Sequence, residues 1–127
     1  MTARREPYQQ PRLIALDTLR DLSDQLGADI CLQYVANFIA MWEDRITRLT
    51  LAVQRRDYDA AMDVALSIKI ASHMAGAERL SALGVTAQQL VSIRDGRGLD
   101  ELLVPLRTCG GETIAHLNAS LDHIAAA

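Results

Sequence analysis

Proline, aromatic residues, cysteine and lysine are all scarce in this 127-residue chain: three prolines, one tryptophan, one phenylalanine, three tyrosines, two cysteines and one lysine. Aromatic and β-branched residues favour strands, whereas Ala and Leu, which dominate here, favour helix, so an all-β fold is excluded and an all-α fold is expected. Cys31 and Cys109 lie far apart with no CxxC partner, and both fall in helical patterns. They read as small buried hydrophobes, not as a disulfide or metal pair, and no cofactor is expected. The lone lysine, Lys69, stands against twelve arginines, and the net charge is −3. No overall positive field would draw the protein to nucleic acid or to an anionic membrane. No run of eighteen apolar residues occurs, and the opening Met1-Thr-Ala-Arg-Arg-Glu is not followed by the apolar stretch of a signal peptide. The expected location is cytoplasmic, with no membrane contact.

What is present is helical periodicity broken by short turns. Residues 1–12 combine two prolines with Arg, Gln and Glu and show no period, so they read as a flexible N-terminal arm preceding a domain over 13–127. A short first helix follows Asp17 as N-cap, with Leu19, Leu22 and Leu26 at helical spacing and Gly27 as stop. Asp29 is the expected cap of the second helix, in which Cys31, Val35, Phe38, Trp42, Ile46, Leu49 and Val53 recur every three or four residues. Phe38 and Trp42 lie in that stripe and read as packing residues. The third helix is expected from Tyr58 to about Ala75, ending near Gly76, and the fourth from Glu78 to Arg94 with Gly84 as a local weakness. Asp95-Gly-Arg-Gly98 reads as a turn. Pro105 and the pair Gly110-Gly111 are expected to kink or split the last helix, from Asp100 to about Ile124. Connections of a few residues force consecutive helices antiparallel. The expectation is an up-down four-helix bundle with a short additional N-terminal helix.

The third helix carries two stripes. Ala61, Ala65, Ile68 and Ser72 form a face of small and apolar residues suited to a core. Met62, Leu66, Lys69, Ile70 and His73 form a second stripe on a neighbouring arc. A helix apolar on two faces is deeply buried or offers a patch to a partner.

The segment Ala65-Leu66-Ser67-Ile68-Lys69-Ile70-Ala71-Ser72-His73-Met74-Ala75-Gly76-Ala77-Glu78-Arg79-Leu80 resembles the signature of histidine-containing phosphotransfer (HPt) domains, A-H-x-L-K-G-S-S, three residues, G-A-x-x-L. Ala65, Lys69, Ser72, Gly76, Ala77 and Leu80 match. The likeness extends over about residues 13–124, with a short lead helix, Phe38 in a long second helix and Asp57 before the signature helix. The resemblance implies a four-helix bundle in a two-component phosphorelay, with a response-regulator receiver domain or a histidine kinase as partner. It also exposes two departures. Leu66 occupies the position of the phosphorylated histidine, and leucine has no nucleophilic nitrogen to carry a phosphoryl group. Ile70 replaces the glycine that leaves space beside the imidazole.

The reading that follows is a degenerate HPt-like module, not an enzyme, that binds a receiver or kinase through Met62, Leu66, Lys69, Ile70 and His73. Two alternatives stand beside it. His73, seven residues after Leu66 and about 10.5 Å along the same face, could be a displaced phosphoacceptor, although Gly76 stands where its lysine would be needed. The Met62, Leu66, Ile70 ridge could instead join two copies of the chain, or be covered by the N-terminal arm through Pro7 and Tyr8. His116, His123 and Glu112 share a face of the last helix, but no further Cys, Asp or His at compatible spacing completes a metal site.

Overall fold

The computed structural model describes residues 13, 14 and 16–126, of which all but a few are helical. The expected arm, residues 1–12, lies outside the described residues, and with it the covering role considered for Pro7 and Tyr8. Among the described residues five helices run in order: α1 Leu16–Leu26, α2 Ala28–Gln54, α3 Tyr58–Met74, α4 Glu78–Ser92 and α5 Gly96–Ala126. Three-residue turns join α2 to α3, α3 to α4 and α4 to α5, so neighbours are antiparallel. α2 and α4 each pack against both α3 and α5, and α1 lies back along α2. The architecture is an all-α up-down four-helix bundle with a short N-terminal helix.

Unequal lengths shape the bundle. α2 and α5, of 27 and 31 residues, extend about 40 and 46 Å at 1.5 Å per residue, whereas α3 and α4 reach only about 25 and 22 Å. The N-terminal part of α2 and the C-terminal part of α5 therefore overshoot the α3–α4 turn. α1 packs in this overhang, where the Cys31 thiol donates to the Leu19 carbonyl at 3.7 Å. One continuous core runs through all five helices, from Leu19 through Phe38, Trp42, Ile68 and Leu80 to Leu117.

The three-residue turns share one stereochemical device. After α2, the Arg56 amide donates to Val53 and the Asp57 amide to Ala52; after α3, Gly76 donates to His73 and Ala77 to Ser72; after α4, Arg94 donates to Val91 and Asp95 to Leu90. Each is a Schellman-type ending that satisfies the last carbonyls through one residue of positive φ. Gly76 adopts it at φ 77°, but Arg56 and Arg94 adopt it at 55° and 54°, where a side chain is strained. Their side chains make compensating contacts. Arg56 pairs in two-pronged fashion with Asp100 on α5, at 3.1 and 2.9 Å, and Arg94 lies 5.3 Å from the centre of the Tyr58 ring on α3.

Several local expectations change. α1 begins at Leu16, placing Asp17 in its first turn and not at the cap. Gly27, at φ 92°, precedes α2 in place of Asp29, which sits in the first turn where its charge favours the helix dipole. Asp95-Gly98 is the start of α5 and not a free turn: the Asp95 carboxylate accepts from the Gly98 amide at 2.8 Å as an N-cap. Most consequentially, α5 is unbroken across Pro105 and Gly110-Gly111. Gly110 is buried against Trp42, and a Cβ there would lie 2.1 Å from the indole Cζ2. The glycine expected to interrupt the helix is the one that lets α2 and α5 approach.

Candidate functional site

α3 is held at both ends. The Asp57 side chain accepts from the Ala60 amide at 3.1 Å, and Gly76 closes the C-terminal turn. Between these points Ala61, Val64, Ala65, Ile68 and Ser72 are buried. Four of the six residues that match the HPt signature, Ala65, Ser72, Ala77 and Leu80, are fully buried, and Gly76 supplies the positive φ of the turn. These matches account for packing and chain reversal.

The neighbouring arc of α3 holds the residues singled out for binding. Met62 is half-buried and packs against the core, Leu66 is half-buried, Ile70 is 54% exposed and His73 is exposed. The stripe tilts outward toward the α3 C-terminus, where Met74 is also exposed. A shallow groove of about 280 Å³ opens beside it, lined by Lys69, Ile70, His73, Met74, Ser81 and Val85. The ridge and Lys69 lie side by side on α3, and no second apolar layer covers Ile70 among the described residues.

Cations flank the ridge on both sides. Toward α4, the Lys69 ammonium donates to Gln88 Oε1 at 3.1 Å, and Ser81 Oγ donates to the Lys69 carbonyl at 2.9 Å. Gly84 makes this possible, because a Cβ at that position would sit 2.9 Å from the Lys69 Cα and N atoms. Gly84 is therefore a site of close helix approach, a correction to its expected role as a weak point. Toward α2, Arg45 Nε donates to Ser67 Oγ at 3.1 Å and the guanidinium lies 6.0 Å from the Phe38 ring. Its Nη1 is buried without a hydrogen-bond partner among the described residues. Among the described residues, neither Lys69 nor Arg45 is paired with a carboxylate. Arg45, Gln88 and Ser81 were not legible as site residues. Arg45 falls outside the α2 core stripe, and only the fold sets it beside Ser67.

Elsewhere the chemistry is quiet. Cys31 and Cys109 are free and buried, and burial pushes both thiols up from their ordinary value. Among the described residues no three His, Cys, Asp or Glu side chains gather as a metal site. His116 and Glu112 are exposed on α5, and the side chain of His123 lies outside the described residues. Among the described residues no helix is long and apolar enough to cross a membrane. Comparison with protein-family models, with curated proteins and with solved structures found no match.

Proposed function

We propose that this chain is a degenerate HPt-like signalling module that docks a receiver domain or kinase of a two-component system through the outer face of α3, without carrying a phosphoryl group at the usual position. The observation that carries the reading is Leu66. It sits where the signature has its histidine, half-buried between an exposed Ile70 and a core-facing Met62. A phosphoacceptor must be nucleophilic and open to an attacking receiver, whereas this position is hydrocarbon and its neighbour one turn on is branched. Three further features support the reading: a four-helix bundle, a lysine retained on the same face, and the exposed apolar side chains of Ile70 and Met74 beside it. Lys69 then serves as a rim cation, its stem lying over α4 and its head open to exchange Gln88 for a partner carboxylate.

The test is to mix the chain with receiver domains charged by radiolabelled acetyl phosphate, measuring label transfer and binding separately. Binding to a receiver with no acid-labile label on this chain is expected, and Leu66→Arg should weaken it by tenfold or more. Acid-labile label on the chain overturns the reading. If His73→Gln then abolishes that label, the exposed His73 at the end of α3 is the acceptor.

A further inference from the structure

We infer that the Met62, Leu66, Ile70 ridge is also the contact of a two-fold homodimer, with two α3 helices crossing at Leu66 and Asp63 of each copy set against Lys69 of the other. The inference uses the same face as the receiver reading but does not depend on it.

The argument starts from helix geometry. Residues spaced by four form a ridge, and residues at i−3 and i+3 stand on opposite flanks of residue i at nearly its level along that ridge. For Leu66 these are Asp63 and Lys69. The flanks are identified by their neighbours: Ser67, one turn after Asp63, bonds Arg45 of α2, while Lys69 bonds Gln88 of α4. Asp63 therefore lies on the α2 side, with Arg45 one turn further along that flank, and Lys69 on the α4 side. Asp63 is exposed, and Lys69 is half-buried with, among the described residues, only a neutral amide as its side-chain partner.

Two copies can bring such ridges together in two ways. With the two-fold axis along the ridge, the α2 flank of one copy meets the α4 flank of the other, and both Asp63–Lys69 pairs form at once. With the ridges reversed, Asp63 meets Asp63 and Lys69 meets Lys69, which is repulsive on both flanks. Charge thus selects the first arrangement. It is isologous, so it closes as a dimer, and ridges of this class pack with the helices crossing at about 50°. Each apolar residue then lies beside its own counterpart, covering Ile70 and Met74, which are 54% and 44% exposed in the single chain. The charged rim fits a second copy without any other partner being required.

A contact built on one helix pair is at the small end of specific interfaces, so sedimentation equilibrium should span about 10 µM to about 1 mM. The expected result is a mass rising from 13.9 kDa toward twice that value. Leu66→Arg should raise the dissociation constant at least about thirtyfold. Asp63→Lys and Lys69→Glu should each weaken association about tenfold, and an equimolar mixture of the two should restore it, because the charges again complement. Ile70→Cys should form an intermolecular disulfide with itself under mild oxidation, the two native thiols being buried. Asp63 and Ile70 are exposed, so these variants should keep the parent's helical melt. A parent mass that stays at 13.9 kDa across the range overturns the dimer. Association unaffected by either charge reversal, or an Ile70→Cys chain that joins only to a Met62→Cys chain, overturns the proposed arrangement.

Discussion

At the residue scale the protein is governed by a few positions where one atom more or less decides the packing. Gly110 and Gly111 are adjacent, and as a sequence pair they look equally weak. A Cβ on Gly110 would lie 2.1 Å from the Trp42 ring, whereas one on Gly111 meets nothing within 4 Å. Gly110→Ala is therefore expected to destabilise the fold by about 2 kcal/mol or more through overpacking. Gly111→Ala should stabilise it by about 0.5–1 kcal/mol through helix propensity. Urea unfolding of the two variants against the parent checks both signs. The difference could not be read along the chain, because the deciding contact comes from a helix 68 residues away in sequence. Ser72 is a second such residue. Its hydroxyl is fully buried with no hydrogen-bond partner among the described residues. Removing an unsatisfied buried polar group is favourable, so Ser72→Ala should raise stability by about 0.5–1 kcal/mol in the same experiment.

At the scale of elements, the helices were legible and their joints were only partly so. Two core stripes read from the sequence, from Cys31 to Val53 in α2 and from Ala61 to Ser72 in α3, are buried where periodicity put them, whereas the α1 stripe ends on an exposed Leu26. The caps were harder, because Asp and Gly near a helix start compete for one position and only backbone geometry decides between them. Asp57, read only as the residue before the third helix, is its cap, whereas Asp29, expected to cap α2, lies in its first turn. Asp57→Ala should cost about 1 kcal/mol by removing the acceptor of the Ala60 amide. The joint between the α2–α3 turn and α5 is titratable. Hydrogen bonds from Arg56 hold the Asp100 carboxyl below its ordinary value of 3.8. A carboxylate with a lowered value in the folded state contributes stability above its ordinary value and loses it as pH falls through the lowered one. Stability should therefore decline from about pH 4 downward, and Asp100→Asn should make that decline shallower. Thermal melts between neutral and strongly acidic pH provide the comparison, and equal slopes for the two proteins would remove the role assigned to this pair.

At the scale of the whole molecule, the unequal helix lengths divide the bundle into a four-helix body and an overhang closed by α1. The two cysteines report on these parts separately. Cys31 is buried under Leu19 of α1, an 11-residue helix that packs along α2. Cys109 is buried in α5 beside Gly110, at the level where Trp42 crosses, and its thiol contacts Thr113 within the same helix at 3.8 Å. Burial raises both thiols, so neither presents much thiolate at neutral pH and neither should react while its cover is in place. Detaching α1 uncovers Cys31 at the cost of one short helix's contacts, which is less than the cost of opening the body. Uncovering Cys109 requires α2 to leave α5, which dismantles the core around Trp42. In native conditions Cys31 should therefore be labelled by a thiol reagent at least about tenfold faster than Cys109, a difference of about 1.4 kcal/mol in opening free energy. Denaturant at low concentration should leave the Cys31 rate nearly flat and accelerate Cys109 with the slope of global unfolding. Peptide mapping of partly labelled protein measures both rates in one sample. Equal rates with equal denaturant slopes would mean that α1 and the body open together, and that the overhang is part of a single cooperative unit.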